Sequence, residues 1–371
     1  MICPQDHKDW RPAADLTTLR LRAKVLAEIR TFFAERKVLE VETPLLASTT
    51  TTEPHLASME VLHGNSHEGM HHPRHMKERC PLQWTSPPRG GFLQTSPESF
   101  MKRLLATGSG PIFQICKAFR AEEVGRHHNP EFTILEWYRL GFDSWALMDE
   151  IDELMGAILG TGPGQRISYA DAFGRHAGLD PFREPLSALQ AYTRTLGVAP
   201  ADSESLEREA CLDLILTQVV QPALVPRVTN TPLNNRQQSI DSMQEGSRRH
   251  LPCAAPVFIF GFPANQASMA KLTDDTAVAE RFELFIDGIE LANGYRELGD
   301  SREQRTRFLA DIENRREKRL PEIPVDERLL QALAHGLPDC AGVALGIDRL
   351  VMLAAAKTSL DEVLAFPFGR A

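Results

Sequence analysis

The sequence lacks the features of a secreted, membrane or disulfide-bonded protein. No apolar run approaches membrane-spanning length, and the first residues contain no basic segment followed by an apolar one. The six cysteines are scattered without a C-x-x-C pair, so the pattern indicates neither a zinc ribbon nor a disulfide framework. We therefore expect reduced thiols in a cytoplasmic protein with no membrane segment.

An excess of positive charge is also absent. The net charge of -9 argues against broad affinity for polyanions, although a local basic patch could still bind nucleic acid. The sequence contains no G-x-x-x-x-G-K-[ST] motif, and the glycine-rich residues 160–164 do not match G-x-G-x-x-G. With 371 residues, of which 42% are hydrophobic, one catalytic domain with appendages fits the composition.

The most informative stretch runs from Phe113 to Tyr138. An apolar run precedes Arg120, a turn follows at Asn129-Pro130, and a second apolar run begins at Phe132. This order predicts two antiparallel strands joined by a charged loop. The guanidinium of Arg120 suits a phosphate or a carboxylate, but for that residue alone a structural ion pair with Glu122 or Glu136 is the favoured interpretation.

The string Arg-x-Glu, His-Asn-Pro-Glu-Phe-Thr, Glu136 and Tyr138 resembles the second signature motif of class II aminoacyl-tRNA synthetases, in its lysyl form. Residues 41–44 look like the end of the first motif, and residues 342–350 look like the third. The segments 95–98 and 288–298 also occur in the family's order. The resemblance implies an α+β fold, a class II synthetase-like catalytic domain with an antiparallel sheet flanked by helices.

Residues 1–18 are expected to form an N-terminal tail and residues 19–371 the catalytic domain. Within that domain we predict three insertions: a His-rich loop at 63–90, a helical insert at 160–225, and an exposed or disordered insertion at 222–256. The His-rich loop could bind metal, but its spacing fits no common zinc site, so a solvated loop is the favoured interpretation. Lysyl-tRNA synthetases carry an anticodon-binding barrel before the first motif, and this sequence has only about twenty residues there.

The resemblance also implies a pocket for an amino acid. Carboxylates in such a pocket would select a substrate with a second amine, such as lysine. For Glu98, a first-turn carboxylate that stabilises its helix is the competing interpretation. The implied substrate-binding residues are Ser96, Pro97, Glu98, Tyr138, Asn293, Glu297 and Ala344.

ATP and Mg²⁺ are the cofactors that the resemblance implies. The amino-acid carboxylate would attack the α-phosphorus of ATP, which requires positive charge and accurate placement rather than a protein nucleophile. Glu283 and Glu290 would hold the metal. The implied ATP-binding residues are Arg120, Glu122, Asn129, Phe132, Glu290, Leu291, Gly346 and Arg349.

Without the barrel, the sequence is similar to the lysyl-tRNA synthetase paralogs that attach β-lysine to a lysine side chain of elongation factor P. Elongation factor P is then the expected partner, a homodimer the expected assembly, and tRNA an unlikely acceptor. Ala344 occupies a position where the tRNA synthetases have glycine, and its methyl group is expected to favour (R)-β-lysine over α-lysine. Three alternatives stay open: a truncated synthetase that charges tRNA, an adenylate-forming enzyme related to asparagine synthetase, and a non-catalytic amino-acid-binding paralog.

Overall fold

The computed structural model describes residues 10–62, 90–225, 255–274 and 277–371. Nearly all of the predicted His-rich loop and most of the predicted 222–256 insertion lie outside the described residues, so both stay predictions. None of the described helices is long and apolar enough to cross a membrane.

Eight strands form one sheet, and three short strands form a second. The order in the large sheet is β1-β5-β6-β11-β10-β9-β8-β7; β1 runs parallel to β5 and β7 parallel to β8, and every other pair is antiparallel. The small sheet has the order β2-β4-β3. The strands are β1 Leu39–Glu40, β2 Leu46–Ala47, β3 Glu60–Leu62, β4 Gly90–Leu93, β5 Ile112–Phe119, β6 Glu131–Leu140, β7 Gln165–Ser168, β8 Val257–Pro263, β9 Val278–Ile286, β10 Ile289–Arg296 and β11 Cys340–Gly346.

Helices flank the large sheet, which confirms the predicted α+β class. A π-helical segment, Leu216–Val220, connects α7 to the last turn of the helical insert, α8. The helices are α1 Leu16–Glu35, α2 Glu98–Ala106, α3 Ser144–Leu159, α4 Tyr169–His176, α5 Leu186–Thr195, α6 Pro200–Ser205, α7 Arg208–Ile215, α8 Gln221–Ala223, α9 Ser301–Glu317, α10 Glu327–Gly336 and α11 Ile347–Ala354.

The period-two alternation of the strands gives the central sheet one apolar and one polar face. On β6, Leu135 and Trp137 join the core that α1, α3 and α11 cover, while Glu136 and Tyr138 point to the opposite face. The strands β9, β10 and β11 repeat this pattern. The residues on this opposite face line a cleft, and they are Arg281, Asn293, Tyr295, Gly342 and Ala344.

The predicted helical insert contains α4 to α8, and it also contains a strand that the sequence did not predict. Strand β7 pairs with β8 and extends the large sheet. The insert's helices pack on these two strands in a second apolar cluster, in which the rings of Tyr169 and Phe173 stack at 4.5 Å and Tyr169 also meets Phe262. The insert is therefore continuous with the sheet that carries the cleft.

Helix α1 begins at Leu16, three residues before the expected start at Leu19. Asp15 caps it by accepting a hydrogen bond from the backbone N–H of Thr18 at 2.7 Å. Just before the cap, the backbone N–H groups of Ala13 and Ala14 donate to the carbonyl oxygens of Ala365 and Leu364. The first described residues are thus bonded to the C-terminal segment.

A buried carboxylate connects α1, β6 and α11. Asp348, 2% exposed, accepts a hydrogen bond from the guanidinium of Arg22 at 2.6 Å and another from the backbone N–H of Thr133 at 2.8 Å. Arg22 also donates to the hydroxyl of Thr133 at 2.7 Å. Because Arg349 follows Asp348 directly, this network fixes the helix turn that carries a predicted ATP-binding residue.

Replacing Asp348 with alanine should lower the free energy of unfolding by about 3–5 kcal/mol, since the guanidinium of Arg22 would be left without its carboxylate. Chemical denaturation checks this. The matched control is Glu28→Ala on α1, the helix that carries Arg22, which breaks an exposed pair with Lys24 and should cost less than about 1 kcal/mol. Equal losses in the two variants would contradict the prediction.

Candidate active site

The cleft lies on the polar face of the sheet, between α2 and strands β6, β9, β10 and β11, and has a volume of about 180 Å³. Most residues that the sequence predicted for the amino acid line it, together with one predicted for ATP. They are Ser96, Glu98, Tyr138, Asn293, Glu297, Ala344 and Arg120. Residues separated by almost 250 positions in the sequence therefore meet in one site.

A buried lysine lies at the closed end of the cleft. The Nζ of Lys102 is 2.6 Å from Oε2 of Glu297 and 2.8 Å from Oε1 of Glu98. Burial alone would lower the pKa of Lys102, but the two carboxylates raise it above its ordinary value, so the side chain is an ammonium. Glu98 also accepts a hydrogen bond from the hydroxyl of Tyr295 at 2.9 Å.

A third carboxyl group, Glu136, lies beside this cluster. The hydroxyl of Tyr138 donates to its Oε1 at 2.7 Å, and its Oε2 is buried without a partner. Burial raises the pKa of Glu136 to about 8, and the negative charge of Glu98 adds to that shift. At neutral pH the site therefore has carboxyl groups that a further cation would ionise.

The strand backbone approaches the tyrosine closely at Gly342. A side chain at Gly342 would collide with the ring of Tyr138 and with Oε1 of Glu297. Two positions along β11, Ala344 pairs with Glu136 on one neighbouring strand and with Asn293 on the other. The small side chain of Ala344 thus lies between Glu136 and Asn293 in the wall of the cleft.

The two carboxylates predicted to hold a metal occupy the β9–β10 hairpin. Glu283 accepts from the guanidinium of Arg281 at 2.6 Å, and Arg281 also donates to Oδ1 of Asn293 at 3.2 Å. Burial raises the pKa of Glu283 to about 7, and the charge of Glu290 contributes to the rise although Arg281 opposes it. Among the described residues, no group of three or more His, Cys, Asp or Glu side chains is arranged to hold a metal.

Arg120 lies just beyond the end of β5, as the sequence predicted. Its guanidinium is 2.9 Å from Oε1 of Glu123 and lies 5.1 Å from the centroid of the Phe132 ring. The sequence indicated Glu122 or Glu136 as the partner of a possible ion pair. That choice was wrong, because Arg120 pairs with Glu123. Its Nε is buried without a hydrogen-bond partner.

Arg349 is held at the start of α11 by the loop between β5 and β6. It donates to the carbonyl oxygens of His127 at 3.1 Å and Glu290 at 2.7 Å, and its Nη2 lies 2.7 Å from Nε2 of His128. Burial and the charge of Arg349 lower the pKa of His128, so the neutral ring can accept this hydrogen bond. Gly346 ends β11 one turn earlier, beside the Arg349 side chain.

The remaining predicted residues lie around these two arginines or away from the cleft. Pro97 is the N-cap of α2 and does not line the cleft, and Glu122 is exposed on the loop. Asn129 donates to the carbonyl of Glu131 and accepts from the N–H of Phe368, which secures the C-terminal segment. The side chain of Leu291 belongs to the core, so only its backbone could face a nucleotide.

Sequence reasoning did not identify Lys102, Arg281 or Tyr295. For Lys102 a signal existed: it follows Glu98 by four residues, on the helix face that Met101 and Leu105 bury. A charge on a buried face requires a partner. Arg281 and Tyr295 carry no comparable signal, since only the pairing of β9 with β10 brings them together.

Comparison with known proteins agrees with this geometry. The family described as "tRNA synthetases class II (D, K and N)" matches residues 4–370. The chain is 43% identical, over 363 residues and 98% of both chains, to the proteins named "Elongation factor P--(R)-beta-lysine ligase" from Salmonella paratyphi B and Salmonella schwarzengrund. The match to this family over nearly the whole chain, together with the sheet described above, places the chain in the class II tRNA synthetase family.

Proposed function

We propose that this protein is a ligase that activates (R)-β-lysine, or lysine, with ATP as an aminoacyl-adenylate, with release of pyrophosphate. The acyl group is then transferred to the side-chain amine of a lysine on elongation factor P, with release of AMP and a proton. The proposal rests on one observation above the others, the buried carboxyl cluster of Glu98, Glu136 and Glu297 at the end of the cleft. The relatives that carry this activity in their name match almost the whole chain.

The cluster fits the distal amine of a diamino acid. Lys102 neutralises only one of three carboxyl groups, so a second ammonium would find an acceptor at Glu136 and at the free oxygen of Glu297. Tyr138 holds Glu136 in place through its hydroxyl. Asn293 is fixed by Arg281, and in our proposal it contacts the amino group nearer the carboxylate.

The cations of the site fit ATP. Arg120 would neutralise the α-phosphate and leave its paired Glu123, while Phe132, already against Arg120, would stack on adenine. Arg349 at the start of α11 would bind the outer phosphates, assisted by the helix dipole. Glu122, Asn129, the backbone of Leu291 and Gly346 complete the proposed nucleotide contacts. These groups would hold the amino-acid carboxylate in line with the α-phosphate of ATP, and they would stabilise the charge that develops as the carboxylate attacks.

Mg²⁺ fits the hairpin carboxylates. Burial and the charge of Glu290 raise the pKa of Glu283. A cation bound between the two carboxylates would lower that pKa again. Glu283 and Glu290 would hold the ion, and the phosphates would supply its other ligands. When bound, it would neutralise charge on the departing pyrophosphate.

We also propose a homodimer in the cytoplasm. The short edge strand β1 and the nearby β2 present exposed leucines, Leu39 at 55% and Leu46 at 50%, on either side of residues 41–44, which resemble the end of the first motif. The described cysteines, Cys116, Cys211 and Cys340, are all free thiols, as expected in a reducing compartment.

An intact-mass assay tests the function directly. With ATP, Mg²⁺ and (R)-β-lysine, elongation factor P should gain one lysyl mass, more slowly with α-lysine, while lysine tRNA in the same tube stays uncharged. Light scattering of the enzyme should give twice the chain mass. Charging of the tRNA with the protein unmodified would support a truncated synthetase, and failure to exchange pyrophosphate with any diamino acid would support a non-catalytic paralog.

Replacing Ala344 with glycine should shift activation toward α-lysine. The methyl group of Ala344 occupies the floor of the cleft next to Asn293 and Glu136, and one methyl changes the choice between close analogues by about ten- to two-hundredfold. Pyrophosphate exchange with each isomer gives the ratio of the two kcat/KM values. Ala341→Gly, on the core face of the same strand, is the control. An unchanged ratio in Ala344→Gly would refute the role of the methyl group.

A further inference from the structure

A second cavity adjoins the cleft. It has a volume of about 290 Å³ and is enclosed by three segments: residues 51–55, residues 264–269 and helix α9. We call this space the back chamber. Its wall and that of the cleft share Glu53, Ser268, Met269 and Arg281. The sulfur of Met269 is 3.3 Å from Nζ of Lys102, so only this wall separates the back chamber from the carboxyl cluster.

Three carboxyl groups, Glu53, Glu209 and Asp311, line the back chamber. The two guanidiniums in its wall have carboxylate partners elsewhere, because Arg281 pairs with Glu283 and Arg307 pairs with Glu303. Asp311 accepts a hydrogen bond from the hydroxyl of Thr52 at 2.7 Å, and Glu209 lies 4.0 Å from the ring of His55. Burial raises the pKa of Glu209 to about 7, with the charge of Asp213 adding to the rise and Lys318 opposing it, and raises the pKa of Asp311 to about 6.

Buried hydrogen-bond acceptors in the same wall lack donors. Gln304 is 1% exposed, and its Oε1 has no hydrogen-bond partner. The Oδ1 of Asn314, further along α9, is also buried without a partner. An unsatisfied buried acceptor costs free energy, so such a group in a cavity indicates a ligand that donates hydrogen bonds. This observation is independent of the carboxylates and points to the same ligand chemistry.

One arginine of α9 faces inward. Arg315 is buried and donates to the carbonyl oxygens of Pro321 and Glu53. It thereby holds the 51–55 segment against α9 and closes one side of the back chamber.

The chemistry of the lining selects one kind of ligand. Three carboxylates disfavour a phosphate or any other anion. A divalent metal lacks a suitable set, since the described residues contain no group of three or more His, Cys, Asp or Glu arranged to ligate one. A primary ammonium on a flexible chain satisfies both observations, because it carries positive charge and three donors. His55, half exposed at the edge of the chamber, marks the side open to solvent.

We propose that the back chamber binds the ammonium group of the acceptor lysine on its way to the activated amino acid. This inference rests on the proposed function, since it names the site that the acceptor side chain uses. The Ser268 hydroxyl donates to Glu53 in the shared wall, so the two cavities meet at a polar contact rather than at packed apolar side chains. An acidic approach also discriminates against the phosphate-rich end of a tRNA.

The test is the double variant Glu209→Gln, Asp311→Asn, which keeps side-chain shape and removes both charges. Its KM for elongation factor P should rise about tenfold or more, as expected for the loss of charge-assisted hydrogen bonds. Pyrophosphate exchange, which reports formation of the adenylate, should stay within twofold of wild type and shows that the variant is folded. Capture of the adenylate by hydroxylamine, an uncharged nucleophile, should also be unchanged.

Glu313→Gln is the matched control, because Glu313 lies on the same helix but faces solvent beside Arg316. An unchanged KM for elongation factor P in the double variant would overturn the inference. So would a change in the KM for the free amino acid, which would mean that the chamber binds a second substrate molecule. If the wild-type enzyme fails to modify elongation factor P, the proposed function itself fails, and the two failures are distinct.

Discussion

A lysine enclosed by carboxylates governs the chemistry of this cleft. Lys102 contacts Glu98 and Glu297 at 2.8 and 2.6 Å, with 1% of its side chain exposed. Three carboxyl groups this close could not all ionise away from water without a cation among them. Burial and the charge of Glu98 raise the pKa of Glu297 to about 8, the ammonium of Lys102 opposes that rise, and the cluster is still short of positive charge. The site is therefore built to require one more cation, which the proposed substrate supplies.

The fold delivers these groups through strand alternation and two anchors. Each strand places its apolar residues against α1, α3 and α11 and its polar residues in the cleft, so burial of Leu135 and Trp137 fixes where Glu136 and Tyr138 point. Asp348 binds α11 to α1 and β6, next to Arg349. The carboxyl end of the cleft and the arginine end are thus positioned by the same core.

Much of this arrangement could be predicted from the sequence. The strands around Arg120 and the glycine-rich strand before Arg349 carry local patterns, and the resemblance of these segments to class II synthetases implied the fold class. Lys102 carried a local signal in its spacing from Glu98, but its second partner Glu297 is nearly 200 residues away and only tertiary packing brings the two together. Strand β7 was missed because four residues show too little alternation. The partner of Arg120 depended on the path of a loop, which no periodicity determines.

The two cavities divide the proposed reaction between them. The cleft offers carboxylates for a diamino acid and arginines for phosphates, and the back chamber offers acceptors for a second amine. Both are acidic, and Met269 and Arg281 stand between them. A protein that joins one amine-bearing molecule to another would need two such compartments, with the activated carboxyl group near their common wall.

The most direct test of the central claim is the KM for the diamino acid in Lys102→Met, measured by pyrophosphate exchange across pH. Burial raises the pKa of Glu297 to about 8 against the opposing charge of Lys102, so without the ammonium that pKa would rise further and the group would stay protonated to higher pH. The account predicts a KM at least about tenfold higher at pH 7 that recovers as pH rises, with an unchanged KM for ATP. Lys117→Met, which removes an exposed lysine paired with Glu131, is the control. A KM for the diamino acid that matches wild type at every pH would contradict the account.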